Sequence, residues 1–159
     1  MKEIPLTKGK TALVDDEDFD VLNKRKWHLS QGRAVTNIKA LVNGRTANYG
    51  ESMHRMIMNP SKGMVVDHKD GNPLNNQRSN LRICTPLENA RNSKHRNSKS
   101  GYKGVAPSCV GTWKAYIHIN KKQIHLGIFI DKEKAAQAYN EAAKKYFGEF
   151  ASLNELPVY

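Results

Sequence analysis

Between Met64 and Asn92 the order of residue types leaves room for little besides a strand, a loop, a second strand and a helix. Met64, Val65 and Val66 make a short apolar strand that ends on Asp67 and His68. Asp70-Gly71-Asn72-Pro73 supplies a sharp turn, and Leu81 to Cys84 returns as the second strand. Thr85-Pro86-Leu87-Glu88 has the spacing of a capping box, with proline at the first helical position, where its missing N–H costs nothing. A helix is therefore expected to begin at Pro86.

This layout sets Asp67 and His68 at a strand end and Asn89 on the first turns of a helix behind it, so that the three can converge. A magnesium-like ion prefers oxygen ligands, which the Asp67 carboxylate and the Asn89 amide carbonyl provide, with places left for water and phosphate oxygens. His68 follows a ligand in sequence yet points to the opposite side of the strand, and its near-neutral pKa suits activation of water as a general base. An EF-hand is excluded. Counted from Asp67, the required glycine comes one place early and Arg78 stands where the bidentate Glu belongs. Asp-Gly and Asn-Pro turns are common and a lone Asp-His pair is ordinarily a surface feature, so the weight rests on the joint pattern. His54, in Met-His-Arg-Met-Ile-Met, is expected to be a packed neighbour in a short helix, with Arg55 or His54 able to meet phosphate; Asn92 carries little weight.

Lys and Arg number 26 against 15 Asp and Glu, a formal charge of +11 that favours a polyanionic partner. Asp15, Asp16, Glu17, Asp18 and Asp20 cluster early, whereas no acid occurs between Glu88 and Asp131. Within that gap lie Arg91, Lys94, Arg96, Lys99, Lys103, Lys114, Lys121 and Lys122. The polar, basic stretch across it is expected to be a linker, residues 93–100, between a first domain, 1–92, and a second, 101–159. The chain contains no long apolar run and its first residues lack the apolar core of a signal peptide, so a soluble cytoplasmic protein with no membrane partner is expected. Cys84 and Cys109 are the only cysteines and no Cys-x-x-Cys occurs, which supports neither a disulfide framework nor structural zinc. Both are expected to be small buried groups.

Before Asn59 the apolar pieces are short and broken by turn signals, notably Gln31-Gly32 and Asn43-Gly44, which predicts one small antiparallel sheet. The acidic run before Val21 and Leu22 suits a short helix whose negative start complements the helix dipole, and Trp27 is expected in the core. From Gly101 the pattern turns to period two. Trp113, Ala115, Ile117 and Ile119 fall on one side of a strand, with Thr112, Lys114, Tyr116, His118 and Asn120 on the other. After a turn at Lys121-Lys122, Ile124, Leu126 and Ile128 are expected inward and Gln123 and His125 outward. Ala135, Ala136, Tyr139, Ala142, Ala143 and Tyr146 then recur at helical spacing after Asp131, a candidate N-cap. The expected class is α+β: a small β region leading into the strand-strand-helix unit, then a basic linker, then a three-stranded antiparallel sheet on one helix.

Asp67-His68, Asn80 of Asn-Leu-Arg, and Asn89 resemble the HNH endonuclease motif, in the Asp-His/Asn/Asn form of phage homing enzymes. The resemblance implies a ββα-metal finger in which His68 is the general base, Asp67 and Asn89 hold Mg2+ or Mn2+, and Asn80 ties the loop and orients the histidine. Asn89 stands where many members carry histidine. Gly101-Tyr-Lys-Gly-Val, Trp113, Ile124-His-Leu-Gly-Ile-Phe, Ala135-Ala-Gln-Ala-Tyr-Asn-Glu-Ala-Ala and Phe150-Ala-Ser-Leu-Asn resemble the APETALA2/ethylene-response-factor domain. This second resemblance implies a sheet that enters the major groove of double-stranded DNA, with Lys103, His118, Gln123 and His125 at contact positions beside Lys114 and Tyr116 of the same cationic face. Ala106, Ser108 and Gln123 replace arginines of that family, so its target sequence does not carry over.

Together these features predict a metal-dependent, site-specific DNA endonuclease. It is expected to act as a monomer without a protein partner, to nick one strand, and to work in the bacterial host cytoplasm as a phage-encoded enzyme. A catalytically silent DNA-binding regulator is the alternative, but it would need none of the Asp-His and distant Asn set. An RNA-binding protein would show more exposed stacking aromatics.

Overall fold

The acidic run after Val14 forms a helix, as its charge pattern predicts, and it joins the first sheet to the second. Strands β1 (Lys2–Pro5) and β2 (Thr11–Val14) pair antiparallel, and α1 (Asp16–Leu22) follows with three acids in its first turn. β3 (His28–Ser30), β4 (Arg33–Val42) and β5 (Arg45–Ser52) make a separate sheet in that order. Two sheets therefore replace the single one expected. The tight connection at Thr7–Gly9, with Lys8 and Gly9 both left-handed, folds β1 onto β2, and α1 then carries the chain away before β3 begins. Gln31 and Gly32, both at positive φ, close the β3–β4 hairpin. The expected Asn43-Gly44 turn lies outside the described residues, which are 1–42, 45–92 and 99–157 of this computed structural model.

Helix α2 (Met53–Met58), β6 (Val65–His68), β7 (Leu81–Cys84) and α3 (Pro86–Asn92) come next. β6 and β7 are antiparallel, with Asp67 opposite Arg82 and His68 opposite Leu81. One core unites these pieces: Ile4, Val14, Leu22, Trp27, Met53, Ile57, Val66 and Leu81 are buried together.

The chain divides into two units, Met1–Asn89 and Ala90–Tyr159. In the second, β8 (Val105–Pro107), β9 (Trp113–Ile119) and β10 (Lys122–Phe129) form an antiparallel sheet ordered β10-β9-β8, and α4 (Lys132–Phe147) packs on it. The β9–β10 turn is Asn120-Lys121, both at positive φ, one residue earlier than expected. A bulge between His125 and Gly127 changes the alternation of β10. Leu126 and Phe129 pack inward, while Ile128, expected in the core, pairs with Lys114 and is 58% exposed. Ile124, at 36%, is also more exposed than expected. On α4 the core positions are Ala135, Ala136, Tyr139, Ala142, Ala143 and Phe147; Tyr146 lies outward because the i, i+4 row from Tyr139 through Ala143 ends on Phe147. Asp131 occupies the N-cap position without a capping hydrogen bond from its side chain. Cys84 is buried as expected, but Cys109 is exposed, since it lies in the turn between β8 and β9.

Candidate active site

Strand alternation separates Asp67 from His68. Val66 and His68 fall on the side of β6 that bears Leu81 and the core, whereas Asp67 falls on the side of Arg82 and Cys84. Both site residues are buried, and each is held by a specific partner. The Asp67 Oδ2 atom accepts from Arg82 Nε at 2.9 Å and Arg82 Nη2 at 2.7 Å. His68 Nε2 meets Asn76 Oδ1 at 3.3 Å, and the His54 ring stands edge-on to it at 5.1 Å between centroids. Burial pushes the His68 pKa down from the usual imidazole value, against upward pulls from Asn76, Asp70 and Asp67. His54, packed as expected, is driven down to about 3 by burial and by the charges of His68, Arg33 and Arg55.

The loop between β6 and β7 is organised around two asparagines. Asn80 Nδ2 donates to Asp70 Oδ1 at 3.0 Å and to the Asn75 carbonyl at 2.8 Å, while Asn80 Oδ1 accepts from the Asp70 N–H at 3.1 Å. Asn80 thus sits where it can tie the loop, and the oxygen that faces His68 Nε2 is that of Asn76, a residue the motif did not single out. Asn76 is fully buried, and its backbone N–H donates to the Leu13 carbonyl of β2 at 2.8 Å. Only this long-range fold-back marks it; in sequence it is one of several loop asparagines. Asp15 completes the clamp by accepting from the Arg78 N–H at 2.8 Å and Gln77 Nε2 at 3.1 Å, and Arg78 in turn pairs with Asp18 and Glu17. The early acidic cluster therefore serves as an anchor for the site loop.

Asn89 is half-buried on α3, which the Thr85–Glu88 capping box starts: the Thr85 N–H donates to Glu88 Oε2 at 2.8 Å and the Glu88 N–H to Thr85 Oγ1 at 3.3 Å. The Cys84 thiol lies beside both the Asp67 carboxylate and the start of α3. Its pKa is raised by burial and then by the Asp67 charge, and it receives the Asn89 backbone N–H. Among the described residues no group of three or more His, Cys, Asp and Glu could hold a metal. The donors that the motif assigns are one carboxylate, Asp67, and one amide oxygen, Asn89. That set fits a hard ion that keeps most of its waters.

Arg55, on α2, lies 3.7 Å from Glu51 with a partly exposed side chain. In the second unit Lys114, Tyr116, His118, Gln123 and His125 share the sheet face opposite α4, with the Tyr116 and His118 rings edge-on at 5.5 Å. Lys99 is exposed, and the Arg91 guanidinium lies over the Phe147 ring at 4.9 Å. The Lys103 ammonium donates to the Arg91 carbonyl at 2.7 Å, and burial lowers its pKa. Lys94 and Arg96 lie outside the described residues.

Residues 59–91, which hold the buried acid-histidine pair and its loop, match a family model described as HNH endonuclease. An uncharacterized HNH endonuclease of Acanthamoeba polyphaga mimivirus is 32% identical over 159 residues, covering 94% of this chain and 77% of the relative. The chain belongs to the HNH endonuclease family. Protein 3.8 of Escherichia phage T7 is 48% identical over 46 residues, 28% of this chain and 38% of the phage protein. An AP2/ERF and B3 domain-containing protein of Oryza sativa is 46% identical over 55 residues, 35% of this chain but 15% of the plant protein, in keeping with an AP2-like domain. Among the described residues no helix is long and apolar enough to cross a membrane.

Proposed function

We propose that this chain is a metal-dependent, site-specific DNA endonuclease that hydrolyses one strand, with His68 as the general base. The observation that carries this reading is the buried contact between His68 and Asn76. Asn76 Nδ2 faces the Leu74 carbonyl at 3.3 Å, which can only accept, so Oδ1 is the atom turned to the ring. His68 must then donate from Nε2, and its neutral ring carries the lone pair on Nδ1, the atom that takes a proton from the attacking water. Asn80, by bracing Asp70 and Asn75, keeps this geometry in place.

Asp67 and Asn89 would hold Mg2+ or Mn2+, which when bound supplies charge stabilisation at the pentacovalent phosphate and the leaving oxygen. The outer face of the second sheet supplies address through Lys114, Tyr116, His118, Gln123 and His125 in the major groove, where lysine donates to guanine and glutamine pairs with adenine. Arg55, Arg91, Lys94, Arg96 and Lys99 neutralise phosphates. A single Asp-His and Asn set serves one strand, so a monomer nicks.

His68→Ala should abolish cleavage of a supercoiled plasmid in Mg2+ or Mn2+ while leaving DNA affinity within a few fold, because a general base acts on the transition state more than on binding. On a plasmid with one target site, open circles should accumulate before linear DNA. Linear product appearing directly, at a rate that rises with the square of protein concentration, would show a cutting dimer. The second reading is a DNA-binding regulator that does not cut, and the Asp67–Arg82 pair favours it by neutralising the acid without metal. Intact supercoils under every metal would establish that reading.

A further inference from the structure

We propose that Arg82 is the resident cation of the Asp67 site, and that a divalent ion loads only by displacing it. This inference rests on the reading of Asp67 as a metal ligand. The antiparallel register sets Arg82 directly across from Asp67, so the backbone itself aims the guanidinium at the carboxylate. Both side chains are nearly inaccessible, 10% and 7% exposed, and Nε and Nη2 converge on the same oxygen, Oδ2.

Burial explains why such a partner is present. A bare carboxylate enclosed beside Cys84 and β7 would carry an uncompensated charge, and removing one partner of a buried pair is strongly destabilising for that reason. Arg82 therefore keeps the metal-free hairpin folded. The same contact opposes loading, because a guanidinium and a divalent ion on one carboxylate repel each other through a medium that solvent screens little. The protein accordingly sets the metal concentration at which it becomes active by the strength of one ion pair.

The test is Mn2+ titration by calorimetry, with thermal unfolding in the presence and absence of Mn2+, on the wild type, Arg82→Met, Arg82→Lys and Asp67→Asn. Arg82→Met should melt lower than wild type without metal, bind Mn2+ more tightly by about 10-fold or more, and gain more thermal stability from Mn2+ than wild type does. Arg82→Lys, which keeps a charge but loses the fork, should shift affinity in the same direction by less, and it decides the matter if Arg82→Met does not fold. Affinity equal to or weaker than wild type in the variant that folds overturns the proposal while leaving Asp67 as a ligand. Loss of Mn2+ binding in Asp67→Asn is expected. Wild-type protein with no Asp67-dependent Mn2+ binding would overturn both this proposal and the ligand assignment beneath it.

Discussion

His54 and His68 are two imidazoles enclosed edge to face, and their shared burial gives the first unit a defined acid sensitivity. The folded-state pKa of His54 lies near 3, so below the ordinary value of about 6.5 the unfolded chain takes up a proton that the folded chain refuses. Stability is present above that value and falls as pH drops from about 6.5 towards 3, at about 1.4 kcal/mol per pH unit. His68, also lowered, adds loss of the same sign. Asp70 adds more at the acid end: burial acts to raise its pKa, but hydrogen bonds from Asn72, Asn75 and Asn80 hold it below the usual carboxylate value, and their stabilisation is lost as it protonates. Urea midpoints at pH 7 and pH 4.5 should therefore differ, and His54→Phe should narrow the difference. An unchanged pH dependence in that variant would assign the acid sensitivity to other groups. Asp67 and His68 were legible because they are neighbours in a recognisable run. Asn76 was not, because its role depends on a hydrogen bond from its backbone to β2, far away in sequence.

Elements were legible wherever local chemistry specified them. The helix from Pro86 and the strand from Leu81 to Cys84 lie where the capping box and apolar spacing put them. The inward set of β10 was misjudged, because one bulged residue reverses alternation and nothing in a run of apolar residues announces it. Gly104 has a comparable hidden constraint. At φ +71°, a Cβ there would overlap the Tyr139 ring and come within 2.6 Å of the Tyr116 carbonyl oxygen, whose N–H already bonds the Gly104 carbonyl. Gly111 has nearly the same φ, +74°, but open space around it. Gly111→Ala should cost about 1–2 kcal/mol of backbone strain, whereas Gly104→Ala should add an overpacking cost of about 1–3 kcal/mol. Thermal unfolding of the second unit measures both, and equal losses would mean that Tyr139 yields without cost.

Over the whole chain, the charge distribution makes affinity for DNA a salt-dependent quantity. If roughly eight basic side chains neutralise phosphates, log affinity should fall against log salt with a slope near about −7. Lys99→Gln combined with Arg55→Gln should flatten that slope by about 2, since each removes one phosphate contact. Filter binding across a salt series reads both values. A slope unchanged by the double substitution would place the phosphate contacts elsewhere.

The amino-acid sequence by itself determined the class, the family motif and the separate character of the second sheet, because these depend on spacings within short runs: a capping box, a two-residue period, a helical row of alanines. The tertiary structure alone decided that the acidic residues Asp15, Glu17 and Asp18 grip Gln77 and Arg78, that Asn76 holds His68, and that Arg82 holds Asp67. It also set the Lys103 ammonium on the Arg91 carbonyl. Each of these is a pairing of polar groups brought together when the chain folds back on itself, and a buried polar group is satisfied by whichever partner the fold presents.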